Sequence, residues 1–184
     1  MAVLPLVIAP DERLKIKSTP VDAVTDDIRT LAANMLETMY ANNGIGLAAV
    51  QVGVHKRVIV MDVDQQPGDE STRNPIVLIN PEVVEASEDL SEYDEGCLSF
   101  PDQYSIVERP SVVTLRYLDL DGNQQELKAD GLMATCIQHE IDHIDGIVFV
   151  DHISKVKRDM ILRKLKKAKR LGAIKTDIND EVPV

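Results

Sequence analysis

The residues with the clearest chemical potential are His139-Glu140-Ile141-Asp142-His143. At about 100° per residue, two histidines four apart stand about 40° from each other on a helix, so both imidazoles can converge on one cation. Glu140 lies about 60° from His143 on the same helix, close enough to reach a water on that cation without ligating it. This is the HExxH pattern of two nitrogen ligands and one general base. Read without a metal, the same letters describe an amphipathic helix with two surface histidines.

A metal site needs a third protein ligand. The zinc peptidases with a third histidine six residues further on would need it at position 149, which is Phe149. His152 lies beyond Gly146, a residue that breaks helices, and reads as a loop or surface histidine. Glu181 sits in a polar tail with no helical pattern. Cys97, in Glu95-Gly96-Cys97-Leu98-Ser99 just before Pro101, has two readings. As a thiolate beside two neutral imidazoles it completes a tetrahedral site with one open position. As a lone cysteine it is an ordinary buried thiol.

These residues must be held by surrounding elements. A first helix is expected over about residues 26–42, with Thr25 as N-cap, Asp26 and Asp27 at the positive end of the dipole, and Asn42-Asn43-Gly44 as the stop. Its apolar stripe is Ile28, Leu31, Ala32, Met35 and Met39. Short apolar runs at 58–63 and 76–79 read as strands, and 112–118 pairs through an Asp121-Gly122 turn with 124–128. Residues 65–74 read as a loop. A second helix is expected over 130–144 and a third over 154–171. The fold class is α+β, with mostly antiparallel β-sheet around a central HExxH helix, an N-terminal helix and a C-terminal helix. With no repeat or linker, the chain reads as one catalytic domain over 1–171 and a polar tail over 172–184.

Composition narrows the classes. Hydrophobic residues make up 44% of 184, enough for a core, yet aromatics are 3% and Trp is absent, so that core is aliphatic and offers no base-stacking platform. A net charge of −11 disfavours coating nucleic acid, and no sequence-specific nucleic-acid partner is expected. Two cysteines are too few for a disulfide scaffold. The apolar run at 3–9 has no basic residue before it and is followed by Asp11 and Glu12, unlike a secretory signal. No run approaches the ~18 apolar residues of a membrane helix. The expected location is the reducing cytoplasm. Against this acidic background, residues 155–170 hold nine Lys and Arg and one acid, Asp159. Val156, Met160, Ile161, Leu165 and Ala168 give it an apolar stripe that can pack on the domain, and its basic side is either a solvated face or a phosphate-binding surface.

Three segments together resemble the polypeptide deformylase family: Gly44-Ile45-Gly46-Leu47-Ala48-Ala49-Val50-Gln51, Glu95-Gly96-Cys97-Leu98-Ser99, and Gln138-His139-Glu140-Ile141-Asp142-His143-Ile144-Asp145-Gly146. Pro10-Asp11 with Leu14, and Ile79-Asn80-Pro81, add to the likeness, which covers about residues 3–170. The resemblance implies a metal-dependent hydrolase that removes the formyl group from the formyl-methionine terminus of nascent polypeptides. It implies Cys97, His139 and His143 as ligands of one divalent ion, usually Fe2+, replaceable by Zn2+, Ni2+ or Co2+. Glu140 would move the water proton. The Gln51 side chain and the Leu98 backbone N–H would donate to the oxyanion. Glu95 would orient a histidine ligand.

Leu132, Cys136, His139 and His143 share one helical stripe, which is either plain core or core continuing into an apolar slot. The family places its methionine pocket there, with Ile45 opposite and Gly46 presenting backbone to an extended peptide. Asn42, Asn43, Tyr93 and Tyr104 depart from better-known members, so peptide contacts beyond the first residue are not carried over. The competing readings are an HExxH zinc endopeptidase and a non-catalytic, ribosome-associated relative. Some deformylases bind ribosomes through a C-terminal helix, and the basic helix 155–170 is expected to do so here.

Overall fold

The computed structural model describes residues 1–174. Strand β1 (Gly46–Ala48) pairs with β2 (Val58–Met61), β2 with β3 (Ile76–Ala86), β3 with β6 (Val112–Leu118) and β6 with β7 (Gln124–Asp130), all antiparallel, giving a five-stranded sheet in the order β1-β2-β3-β6-β7. A separate hairpin is formed by β4 (Leu90–Cys97) and β5 (Phe100–Pro110). Helices α1 (Asp26–Ala41), α2 (Gly131–Ile144) and α3 (Lys155–Arg170) complete the frame.

The sheet is covered on both faces, and β2 shows how. Ile59 and Met61 belong to the cluster that holds Ile137 and Ile144 of α2, whereas Val58 and Val60 belong to the cluster that holds Ala32, Met35 and Met39 of α1. Side chains alternate faces along a strand, so an unbroken apolar run is what a two-sided burial requires. A third cluster joins α3, through Ile161 and Leu165, to Val7, Leu14, Val107, Phe100 and Phe149. The chain has only two phenylalanines, and both lie here, edge to face with centroids 5.2 Å apart.

Both helices that flank the sheet end in the same way. At α1, Asn43 takes φ 54°, the Asn43 N–H reaches Tyr40 O at 3.1 Å and the Gly44 N–H reaches Met39 O at 2.9 Å. At α2, Gly146 takes φ 77°, with its N–H 3.1 Å from His143 O and the Ile147 N–H 2.9 Å from Asp142 O. Each pair of bonds is a Schellman cap, and it aims the following chain sharply away from the helix. Thr25 has the extended N-cap backbone of α1 but its hydroxyl makes no cap bond.

The structure differs from the sequence reading in several places. Strand β2 stops at Met61 rather than at position 63. Strand β3 does not end at Ile79: a bulge absorbs Asn80 and Pro81, and the strand continues to Ala86. Asn80 tolerates its φ of 50° and uses its side-chain amide to hold Val21, with N–H and C=O bonds both 2.8 Å, while Pro81 sits at the bulge, where no ladder donor is needed. The hairpin β4–β5 is not visible as an apolar alternation, because the inward positions of β5 include Ser105 and Arg109 beside Phe100 and Val107. On α3 the expected apolar stripe is split: Ile161 and Leu165 are buried, whereas Val156 is 71% and Met160 52% exposed. The polar tail expected at 172–184 lies, from 175 onward, outside the described residues. Among the described residues no helix is long and apolar enough to cross a membrane.

Gly146 is the sharpest local requirement. Besides its positive φ, a Cβ there would stand 2.5 Å from the backbone oxygen of Lys15. Gly146→Ala is therefore expected to lower stability by about 2 kcal/mol or more. Urea unfolding should show a lower midpoint at an unchanged slope, and an unshifted midpoint would contradict the steric argument.

Candidate metal centre

Helix α2 presents His139 and His143 on one face, both buried, with ring centroids 5.0 Å apart. Cys97 is the last residue of β4, and the β4–β5 turn brings it against that face, with Sγ 3.2 Å from His143 Nε2. One ligating atom from each of Cys97, His139 and His143 lies within 4.8 Å of the others. Ideal bonds of about 2.3 Å to sulfur and about 2.0–2.1 Å to nitrogen at a tetrahedral centre would set S and N about 3.6 Å apart, close to what is seen. Two further atoms, His143 Nδ1 and Glu140 Oε2, are buried without a hydrogen-bond partner among the described residues. Thiolate and imidazole donors suit a divalent transition metal, so this cluster fits one.

A chain of charged groups fixes the candidate ligands. Glu95 Oε1 accepts from His139 Nδ1 at 2.8 Å. Both Glu95 oxygens also take the Arg109 guanidinium in a fork, at 2.7 and 2.9 Å. Arg109 Nη1 continues to Asp142 Oδ2 at 2.8 Å, and the same oxygen meets His152 Nε2 at 2.7 Å. Burial would raise the Glu95 pKa, but the hydrogen bonds from His139 and Arg109 outweigh it and bring it down to about 2. An ionised Glu95 holds the Nδ1 proton of His139, which leaves the Nε2 lone pair for the cluster. Burial, reinforced by the neighbouring His139, pushes the pKa of His143 down and keeps it neutral, the form that ligates. Phe149 stacks on His139, with planes 25° apart and centroids 6.2 Å apart.

Glu140 and a second wall of the centre come from the other side. A Cβ at Gly46 would stand 2.6 Å from Glu140 Oε1 and 2.8 Å from Cys136 Sγ, so only glycine lets β1 approach α2 this closely. Burial raises the Glu140 pKa to about 7. Gln51 is buried; its Oε1 accepts the Ala48 N–H at 2.9 Å, and its Nε2 points to Ser99 Oγ at 3.2 Å and Cys97 Sγ at 3.4 Å. Cys136 stays outside the ligand cluster: its Sγ lies 3.6 Å from Ile45 O, and burial pushes its thiol pKa well up. A cavity of about 1070 Å³ opens over the centre. Ile45, Gly46, Gln51, Glu95, Leu98, Leu132, Cys136, His139 and Glu140 all line it, with Leu132 41% exposed.

The fold thus gathers every candidate side chain from three distant segments into one place. His152 joins the site's margin rather than its ligands, through Asp142. Sequence reasoning did not single out Arg109 or Asp142. Their signal is that a carboxylate beside a buried histidine ligand needs a compensating cation, and a buried Arg with one carboxylate has donors to spare for a second.

The model of the family described as polypeptide deformylase matches residues 3–159. The chain is 53% identical over 175 residues to the peptide deformylase of Rhizobium meliloti (strain 1021), covering 95% of this chain and 99% of that one. It is similar to the crystal structure of peptide deformylase from Ehrlichia chaffeensis in complex with actinonin, with a TM-score of 0.87, 47% identity and coverage of 92% and 99%. A peptide deformylase structure from Legionella pneumophila superposes with a TM-score of 0.85 at 44% identity, covering 95% and 99%.

Arg109→Gln leaves all three candidate ligands in place but removes the cation from Glu95. Metal affinity measured by chelator competition is expected to fall about 10- to 100-fold. An affinity equal to that of the parent protein would mean that Glu95 orients His139 unaided.

Proposed function

This chain belongs to the polypeptide deformylase family, and from that premise we propose that its centre removes the formyl group from the formyl-methionine terminus of nascent polypeptides as a metal-dependent hydrolase. The carrying observation is a Cys97, His139 and His143 cluster within 4.8 Å, with Glu140 buried beside it and a cavity above. The endopeptidase reading needs a third ligand downstream of His143, whereas the third group in the cluster is Cys97. A non-catalytic relative is expected to have lost a ligand or the base, and all four groups are present.

In this reading Cys97, His139 and His143 hold one divalent ion. When bound, it supplies Lewis-acid activation of water near neutral pH. Ferrous iron is the proposed resident on the strength of family resemblance, with Zn2+, Ni2+ or Co2+ as substitutes the same donors accept. Glu140, with its pKa lifted to about 7 by burial, takes the proton from the attacking water and returns it to the amine as the C–N bond breaks, releasing formate. The Gln51 Nε2 and the Leu98 N–H are assigned to the oxyanion; Gln51 is supported by its place beside Cys97 Sγ. Glu95 acts only by holding His139. The unpaired edge of β1, the edge strand of the sheet, offers backbone groups to an extended peptide at Gly46, while Ile45, Leu132 and Cys136 receive the methionine side chain. The same proposal places the protein in the cytoplasm, where new chains carry the formyl group.

Protein purified without oxygen, analysed for metal and given a short formyl-methionyl peptide, should release formate. Glu140→Gln should keep its metal, because Glu140 is not a ligand, yet lose about 10²-fold or more in kcat. Normal turnover by a metal-replete Glu140→Gln variant would sink the mechanism.

The ribosome is the second proposed partner. In α3, Arg163, Lys166, Lys167 and Arg170 are all exposed, on a helix of nine basic residues and one acid in a chain of net charge −11. Changing these four to Glu is expected to abolish salt-sensitive co-sedimentation with ribosomes while sparing activity on the short peptide. Parent protein that stays in the supernatant at low salt would rule the partner out.

A further inference from the structure

The two carbonyls just before Gly46 are held from one turn. Ile45 O accepts the Asp62 N–H at 2.8 Å, and Gly44 O accepts the Gln65 side-chain amide at 2.6 Å. The Asp62 carboxylate fixes that turn. One of its oxygens takes the Asp64 and Gln65 N–H groups at 3.2 and 3.1 Å, and the other takes the Tyr40 hydroxyl at 2.7 Å and the Asn74 N–H at 2.8 Å. The acceptor capacity of a carboxylate is then used up. The Arg73 guanidinium lies 4.1 Å over the Tyr40 ring and ties the far end of the same loop to α1. Gly44 is buried, and a Cβ on it would stand 2.7 Å from Leu98 Cδ1, so the chain here has little room to drift. Gln65 itself is not among the residues that line the cavity.

In an antiparallel ladder, a residue bonded to the partner strand is followed by one whose N–H and C=O point the other way. Ile45 is bonded to Asp62, and Gly46 stands opposite Met61, so Gly46 turns its backbone groups to the free edge of β1. The pitch of that edge depends on what holds the chain directly before it. We propose that Gln65 is a positioning residue for this site: through the Gly44 carbonyl it sets the angle at which Gly46 offers its backbone to the formyl-methionyl peptide. This rests on the deformylase reading above. The groups that act on the formyl carbon are anchored elsewhere. Glu140 and the two histidines sit on α2, Cys97 ends β4, and Gln51 is pinned by the Ala48 N–H and the Ser99 hydroxyl. Removing the Gln65 amide therefore releases the buried Gly44 carbonyl from the turn and loosens the binding edge, while the reacting groups keep their places.

The test measures kcat and KM separately for the metal-loaded enzyme on formyl-Met-Ala-Ser. Gln65→Ala is expected to raise KM by roughly threefold to tenfold, the range of one neutral hydrogen bond. Its kcat should stay within about twofold of the parent's, the signature of lost binding rather than lost chemistry. A loop that only unfolds more easily would lower the amount of active protein, which moves the apparent kcat and leaves KM alone. Gln65→Lys carries a donor over a similar length and should bring KM back to the parent's. The parent's KM in Gln65→Ala, a fall in kcat at the parent's KM, or a Gln65→Lys enzyme with the alanine variant's KM would overturn the inference and leave the deformylase reading standing. A parent enzyme inert on the peptide would overturn that reading and this inference with it. Should Gln65→Ala fail to fold, Gln65→Glu decides: it keeps the shape and, above neutral pH, offers Gly44 O no donor, so the parent's KM there would refute the proposal.

Discussion

Arg109 joins the two elements that carry the candidate metal ligands. Its fork grips Glu95 on β4 and its remaining arm reaches Asp142 on α2, so the hairpin that ends in Cys97 is locked to the helix that bears His139 and His143. A buried ion network is weak evidence for stability as such, because desolvation offsets much of the Coulombic gain. Its worth here is geometric. A bidentate guanidinium tolerates little sliding or rotation of its carboxylate. The same carboxylate also holds His139, so the position of a candidate ligand is tied to the docking of the hairpin.

The rest of the fold supplies a rigid back for that lock. The sheet is buried between α1 and α2, and β2 alternates its side chains between the two helical layers. Strand β1 at the sheet's edge is drawn against α2 because Gly46 has no side chain, and this closeness is what buries Glu140. The burial that stabilises the core therefore also raises the Glu140 pKa to about 7, and a proton acceptor with that value can also act as a donor near neutrality. Packing and proton chemistry are set by the same contact.

Charge is distributed in the same economical way. Inside, two carboxylates near the candidate ligands are paired: Glu95 with His139 and Arg109, Asp142 with Arg109 and His152. Outside, basic residues concentrate on α3, which docks through Ile161 and Leu165 and leaves its cations in water beside the exposed Val156 and Met160. Lys164 of α3 also lines the large cavity, so the basic helix reaches the rim of the centre.

The two histidines and Glu140 were legible in the sequence because helical spacing alone places them on one face. The sequence also marked the end of α2, because Gly146 is the kind of residue a left-handed cap requires. The aliphatic sheet strands could be read for a similar local reason, through their apolar runs. The β4–β5 hairpin could not, since its inward side chains include Ser105 and Arg109, and a polar residue looks inward only once its partner is in place. Spacing likewise left Cys97 open between ligand and plain buried thiol. The contact with His143 joins residues 46 positions apart in the chain, and only the docking of β4 on α2 brings them to 3.2 Å. Arg109, Asp142 and the bulge at Asn80 belong to the same class. Their meaning lies in a partner across the fold, and local sequence carries no record of which distant group will stand there.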